Sequence, residues 1–360
     1  MKKVRALIVD DSAFIRKIVS DILSTDPEIE IVDKARNGKE AIEKLLNNDI
    51  DVITLDVEMP IMDGITTLSE IMKIKPTPVV MLSGLTKQGA DLTIQALEMG
   101  AVDFITKPSN IFKIDQDKIK TDIVEKVKVA AGVDVKRKRP SSRKAEVRSS
   151  LAVSEIRKTA TRTRVGKVEN IVAIGTSTGG PKALQNVIPN IEEDINASIV
   201  VVQHMPAGFT KSLAERINNI SRVKVKEAEH GDVLENGVAY IAPGDRHIKF
   251  EKDGMNIKIV LDDGPNVSGH KPSVDAMFYS LTGIKCKKII PVIMTGMGHD
   301  GAKGMDILKQ SKSLKVFSIA EDEESCVVFG MPKSAINLGA VDKVLHVNQI
   351  ANEINKLVGV

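Results

Sequence analysis

The stretch Ile171-Val-Ala-Ile-Gly-Thr-Ser-Thr-Gly-Gly-Pro-Lys-Ala183 constrains this chain more than any other. Four apolar residues make a short buried strand, Gly175 to Gly180 make a tight turn, and Pro181 suits the first position of a helix, where its missing N–H would be unpaired anyway. A strand that turns so sharply into a helix is the unit from which parallel, helix-covered sheets are built. Ser177 falls between the carboxyl end of the strand and the amino end of the helix. Free backbone N–H groups and the positive helix end favour negative charge at that point, which suits a serine that must become, or stabilise, an oxyanion.

Three motifs compete for these residues. A phosphate-binding loop needs G-x-x-x-x-G-K-[ST], but Pro181 separates Gly180 from Lys182, and Ala183 replaces the metal-binding hydroxyl. A dinucleotide fingerprint places its second glycine where Ser177 stands. Gly175-Thr-Ser-Thr-Gly179 fits the nucleophile elbow G-x-S-x-G, whose context is strand, sharp turn and helix. Five residues also fit an ordinary strand–helix turn, so the assignment depends on partners for Ser177.

At 360 residues and 42% hydrophobic content, the chain can form two domains with proper cores. It has no apolar run approaching the roughly 20 residues needed to cross a bilayer. The opening Met-Lys-Lys-Val-Arg leads into a strand rather than a signal-peptide core, so the protein reads as cytoplasmic, with no membrane insertion. Cys286 and Cys326 are too few for a disulfide framework and lack metal-ligand spacing.

The net charge of +3 is unevenly spread. Lys136 to Lys167 carries twelve Lys and Arg against Glu146 and Glu155, so the remainder of the chain is net negative. Rich in Ser and Thr and poor in large apolar residues, this segment reads as an exposed linker. Neither a helix-turn-helix pattern nor stacking aromatics accompany it, so no nucleic acid is expected as a partner. The expected organisation is a first domain over 1–130, a basic linker over 131–167 and a second domain over 168–360.

Residues 1–130 alternate strand and helix signals. Apolar runs fall at Ala6–Val9, Val52–Leu55, Val79–Leu82 and Val102–Ile105, and a weaker strand at Ile29–Val32 precedes the Asn37-Gly38 turn. Amphipathic segments include Ala13–Leu23, Lys39–Leu46, Ala90–Met99 and about Gln116–Val129. The order βαβαβαβαβα predicts a doubly wound, five-stranded parallel sheet. Polar residues collect where those strands end: Asp10 and Asp11, then Asp56, Ser83 and Lys107. Ligands of such sheets bind outside the carboxyl ends of the strands. Three carboxylates gathered there repel one another, and Mg²⁺ is the natural neutraliser. With Lys107 and the Ser83 hydroxyl nearby, the site suits a phosphoryl group, with Asp56 as covalent acceptor.

These residues carry a resemblance. Val9-Asp-Asp-Ser12, Asp56-Val-Glu-Met-Pro-Ile-Met-Asp-Gly64 and Thr106-Lys-Pro108 resemble the motifs of two-component response-regulator receiver domains. The resemblance implies Asp56 as phosphoacceptor and Asp10, Asp11 and Asp56 as magnesium ligands. It implies Ser83 as switch hydroxyl, Lys107 as the phosphoryl partner and Phe104 as switch aromatic, a position that tyrosine also occupies.

In the second domain, Ser198–Gln203 is a β-rich run ending in His204-Met-Pro, and Ile289–Met294 is another, ending in Thr295-Gly-Met-Gly-His-Asp-Gly301. Phe250 to Leu261 alternates around Asp253-Gly254, a hairpin signal, and Lys315–Ile319 and Lys343–Val347 supply further strands. The reading is a doubly wound, mostly parallel α/β domain with one antiparallel hairpin. Ser177, His204 and Asp300 all follow carboxyl ends of apolar strands. A serine hydroxyl needs a base, imidazole titrates in the useful range, and a carboxylate on its other nitrogen fixes the tautomer. Met297, among Gly296, Gly298 and Gly301, is the candidate oxyanion donor through its N–H. Four other histidines compete as base or site edge: His346, in the Ser…Asp…His order of ordinary α/β-hydrolases, and His247, His270 and His299.

Ile174-Gly-Thr-Ser-Thr-Gly-Gly180, Gln203-His-Met-Pro206, Tyr240-Ile-Ala-Pro-Gly-Asp-Arg-His247 and Gly269-His-Lys-Pro-Ser-Val-Asp275 are similar to motifs of the chemotaxis protein-glutamate methylesterase family. So are Met294-Thr-Gly-Met-Gly-His-Asp-Gly301 and Ser325-Cys-Val-Val-Phe-Gly-Met-Pro332. The resemblance implies a triad of Ser177, His204 and Asp300, supported by Met297 and Thr178, with no cofactor for the ester chemistry. It implies a monomer that hydrolyses glutamyl γ-methyl esters, and deamidates glutamines, on the helical cytoplasmic bundle of chemoreceptors. Its phosphodonor would be a chemotaxis histidine kinase. The rival expectations are a phosphorylation-switched binding regulator, acting on DNA through the basic linker, and a serine hydrolase of the same fold on another acyl substrate.

Overall fold

A computed structural model of the chain describes residues 2–107, 116–135 and 168–359. The basic segment from Lys136 to Lys167 lies outside them, as does Pro108 of the Thr106-Lys-Pro108 motif. Two compact units divide the chain, Met1–Pro140 and Ser141–Val360. Among the described residues no helix is long and apolar enough to cross a membrane.

The first unit runs β1 (Val4–Val9), α1 (Ala13–Leu23), β2 (Ile29–Ala35), α2 (Gly38–Asn47), β3 (Val52–Asp56), α3 (Gly64–Ile74), β4 (Val79–Ser83), α4 (Lys87–Met99), β5 (Asp103–Thr106) and α5 (Gln116–Ala131). Its sheet has the order β2-β1-β3-β4-β5, and every pairing is parallel. Strands covered on both faces read as continuous apolar runs, and Ala6 to Val9 and Val79 to Leu82 are indeed fully buried. The helices begin where short polar side chains satisfy their first N–H groups: Ser12 caps α1, Asn37 caps α2, Asp63 caps α3 and Thr86 caps α4.

The second unit runs β6 (Asn170–Thr176), α6 (Gly180–Val187), β7 (Ser198–Gln203), α7 (Phe209–Ile220), β8 (Lys224–Glu227), β9 (Val238–Ile241), β10 (His247–Asp253), β11 (Asn256–Asp262), α8 (Val274–Leu281), β12 (Lys288–Ile293), α9 (Ala302–Gln310), β13 (Ile319–Glu321), α10 (Met331–Asn337), β14 (Lys343–Leu345) and α11 (Val347–Val358). Seven strands form a parallel sheet of order β14-β13-β12-β6-β7-β9-β8. The antiparallel hairpin β10–β11 is a separate two-stranded sheet. It joins the core through Ile248, Phe250, Ile257, Ile259 and Leu261, which pack with Val274, Met277 and Phe278 of α8.

The strand order fixes the site. β6 is central, flanked by β12 and β7, so the segments after these three strands emerge side by side at one sheet edge. Between the expected and observed elements the differences are local. The hairpin loop is Gly254-Met255 rather than Asp253-Gly254, because Asp253 pairs with Asn256. Gly254 has φ 59°, the first-position conformation that a Gly-X two-residue loop requires. The strand expected at Lys315–Ile319 is Ile319–Glu321, with Val316 making one isolated bridge to Ile289. The strand expected to reach Val347 stops at Leu345, because His346 caps α11 by accepting the Asn348 N–H at 3.3 Å.

Candidate functional site

In the first unit, the residues expected at strand ends converge. Asp10 and Asp56 are buried, and Asp11 is exposed. One carboxylate oxygen from each of these three lies within 4.8 Å of the others. Lys107 follows β5 and reaches across, its Nζ 2.7 Å from Asp56 Oδ2 and 3.0 Å from Asp10 Oδ2. Among the described residues those two buried oxygens receive no well-directed hydrogen bond, so they depend on that ion pair. The other oxygens accept backbone N–H groups, Ser12 to Asp10 at 2.9 Å and Glu58 to Asp56 at 3.1 Å.

Burial, aided by the neighbouring Asp10 charge and opposed by Lys107, pushes the Asp56 carboxyl up to about 6. Burial alone would lower Lys107, but its contacts with Asp56 and Asp10 outweigh this and raise it. A crowded set of hard carboxylate oxygens, two of them under-satisfied, fits a magnesium ion in donor chemistry. The Ser83 hydroxyl, also buried, donates to the Gly84 and Gly89 carbonyls at 3.3 and 3.2 Å. Phe104 is buried, and the Lys126 ammonium stands 5.5 Å from its ring centroid.

In the second unit, the turn after β6 is built by two glycines. Gly179 adopts φ 78°, and a Cβ on Gly180 would lie 1.9 Å from Gln203 Oε1. Gln203 ties the two strands together. Its Oε1 accepts the Thr176 hydroxyl at 2.7 Å, while its Nε2 donates to the Ser177 and His204 carbonyls at 3.0 and 3.1 Å. Thr176 and Gln203 are register partners, so Ser177 and His204 are the next residues along adjacent parallel strands.

The His204 ring is anchored on Asp300, Nε2 to Oδ2 at 2.8 Å, with only 8% of the His204 side chain exposed. An ionised carboxylate accepts only, so Nε2 carries the proton and Nδ1 keeps a lone pair. Nδ1 is buried and has no hydrogen-bond partner among the described residues. Burial alone would raise Asp300. The His204 hydrogen bond and charge, with the Asp275 and Val274 N–H groups, outweigh it and hold Asp300 below the usual carboxylate range.

The support of Asp300 is legible only in three dimensions. Its Oδ1 accepts the Ser273 hydroxyl and the Asp275 N–H, both at 2.9 Å, and its Oδ2 accepts the Val274 N–H at 2.7 Å. The carboxylate thus sits on the amino end of α8, where the helix dipole stabilises negative charge. Sequence reasoning assigned no role to Ser273, although a serine before an apolar run is a cap signal. Asp275 is itself buried and accepts from Gly304 N–H and the Ser268 hydroxyl, both at 2.7 Å. Burial beside Asp300 raises its carboxyl above the ordinary value.

Met297 is half-buried, and its N–H finds no acceptor among the described residues. The Ser177 and Gly180 N–H groups, by contrast, are spent on the Thr295 and Ser177 carbonyls. The Thr178 carbonyl accepts the Thr295 hydroxyl at 2.9 Å, and the Thr295 Oγ1 in turn accepts the Val327 and Val328 N–H groups, both at 3.0 Å. The other histidines separate by environment. His247 is buried, with Nε2 to the Pro265 carbonyl at 2.9 Å and Nδ1 to the Ser273 N–H at 3.3 Å. His299 is exposed, His346 is a helix cap, and His270 stacks on His204. Asp245, in the loop before β10, is exposed.

Two family models match the chain. Residues 172–354 match the family model described as CheB methylesterase, and residues 6–117 match the response regulator receiver domain. The protein-glutamate methylesterase/protein-glutamine glutaminase of Oceanobacillus iheyensis is 48% identical over 356 residues, covering 99% of each chain. That of Pyrococcus horikoshii is 42% identical, covering 99% of this chain and 94% of its own. The crystal structure of the Thermotoga maritima CheB methylesterase catalytic domain superposes with a TM-score of 0.50 at 46% identity, covering 52% of this chain and 98% of that one.

Proposed function

The chain belongs to the CheB methylesterase family and carries a response regulator receiver domain ahead of the esterase, and from that membership we propose that Ser177, His204 and Asp300 form the catalytic triad of a phosphorylation-controlled esterase. The enzyme is a protein-glutamate methylesterase and protein-glutamine glutaminase. One observation carries the triad reading. His204, on the strand end beside Ser177, is held by Asp300 on Nε2, while its buried Nδ1 lacks a partner among the described residues.

In this mechanism Ser177 Oγ attacks the glutamyl ester carbonyl as Nδ1 of His204 takes its proton. Asp300, pinned by three donors from the start of α8, fixes the imidazole tautomer and stabilises the imidazolium. The Met297 N–H receives the developing oxyanion, with Thr178 holding the wall that carries it. The imidazolium then protonates departing methanol, or ammonia when the substrate is glutamine. Water, deprotonated by His204, releases the glutamate side chain from Ser177.

The receiver reading is that Asp56 accepts a phosphoryl group from a chemotaxis histidine kinase. Asp10, Asp11 and Asp56 would hold magnesium, whose chemistry there is neutralisation of phosphoryl oxygens. Lys107, already paired with Asp56, follows the new charge, and Ser83 and Phe104 relay its presence. The substrate side is the helical cytoplasmic bundle of methylated chemoreceptors, met in the cytoplasm by a monomer. A fluorophosphonate serine probe tests the nucleophile. It should label the wild-type chain on Ser177, leave Ser177→Ala unlabelled and label His204→Ala far more slowly. Labelling elsewhere, or undiminished labelling of His204→Ala, would overturn the triad.

A further inference from the structure

Among the described residues the His204 ring makes a single hydrogen bond, about which an imidazole is free to rock. Its face, however, is covered. The His270 ring lies parallel to it, with centroids 3.9 Å apart and an interplanar angle of 11°. The chain spends considerable structure on presenting that ring. Val267 and His270 exchange backbone hydrogen bonds of 3.1 and 3.0 Å across a two-residue loop in which Ser268 has φ 50° and Gly269 φ 84°. A left-handed serine is uncommon, and here its hydroxyl is tied to the buried Asp275 at 2.7 Å. Asp275 in turn holds the Gly304 N–H of α9, and its own N–H holds Asp300. The buried His247 fastens the same segment at Pro265 and Ser273 through its two ring nitrogens.

We propose that His270 is a positioning residue of the esterase reaction, whose stacked ring holds the His204 imidazole in its working orientation and stabilises the imidazolium formed as Ser177 loses its proton. The inference rests on the reading of His204 as the base. The π face of a neutral ring attracts a cation, and stacked ring pairs gain energy beyond the area they bury. A brace on the ring face acts on turnover rather than on receptor binding, because it is needed most in the charged transition state.

The test measures kcat and KM for methanol release from methylated receptor membranes, using the full chain with His270 replaced by Phe, Gln or Ala. His270→Phe keeps a stacking ring and should stay within about twofold of wild-type kcat. His270→Gln and His270→Ala should lower kcat by about three- to tenfold with KM unchanged, the range expected for one ring pair. Thermal unfolding of each variant separates misfolding from loss of the brace, and the Phe and Gln variants preserve side-chain bulk if the Ala variant unfolds. Wild-type kcat in His270→Ala would overturn the proposal, as would a change confined to KM. Activity retained by Gln but lost by Phe would assign the role to a hydrogen bond instead of the ring. Full release by Ser177→Ala would strike the underlying triad reading. An inactive Ser177→Ala beside a fully active His270→Ala would strike this inference alone.

Discussion

Replacing Asp56 with Asn should stabilise the receiver, by an amount that depends on pH. Asp56 is 1% exposed, borders the Asp10 carboxylate and has its carboxyl pushed up to about 6. A folded-state value above the unfolded value of about 3.9 means that ionisation opposes folding. The stability is fully present below about pH 4, falls as pH rises through about 6, and is constant above that. At about 1.4 kcal/mol per unit, the cost in the wild-type chain is on the order of 1–2 kcal/mol at pH 5 and about 3 kcal/mol at pH 7.5. Asp56→Asn removes the charge and keeps the shape, so its advantage over wild type should grow between those pH values. Urea unfolding, read by hydrogen exchange of the β1, β3 and β4 amides, follows the receiver separately from the esterase. Magnesium should narrow the difference by stabilising the wild type alone. A destabilised Asn variant at pH 7.5, or a difference that does not vary with pH, would refute the reasoning.

Asp300→Asn should reduce kcat by about 10⁴-fold with little change in KM, because the amide supports the wrong imidazole tautomer. Asp245→Asn, at an exposed loop position, should change kcat by less than about twofold; steady-state methanol release compares the two, and a reversal would move the triad carboxylate. Gly296→Ala would place a Cβ 2.3 Å from Met331 Sδ and 2.8 Å from Ser177 Cβ. It should cost about 1–3 kcal/mol of stability and lower turnover, read by thermal unfolding and kcat.

The alternation of buried strands and amphipathic helices was legible because each βα unit writes its own boundary in polar strand ends and caps. Elements with weak local signals were not singled out. β8, Lys224–Glu227, alternates charge with a single buried valine, and β9, Val238–Ile241, has only four residues, yet both complete the parallel sheet. Asp10, Asp56, Ser177 and His204 were legible because strand ends in such sheets are where ligands meet. The parts that came only with the structure are made by distant chain: the α8 terminus under Asp300, the Gln203 bridge between strands, and the His270 ring on His204. Spacing in sequence carries no record of such packing, and a histidine stacked on another looks the same as one that edges a loop.

The central claim is that Ser177 performs ester hydrolysis on methylated receptors under the command of Asp56. Methanol release from methylated receptor membranes, with and without a small-molecule phosphodonor, tests it directly. The wild-type chain should release methanol and accelerate with phosphodonor, Asp56→Asn should release it without acceleration, and Ser177→Ala should release almost none, a loss on the order of 10⁴-fold. Release by Ser177→Ala above roughly a tenth of the wild-type rate, or equal acceleration of Asp56→Asn, would contradict the account.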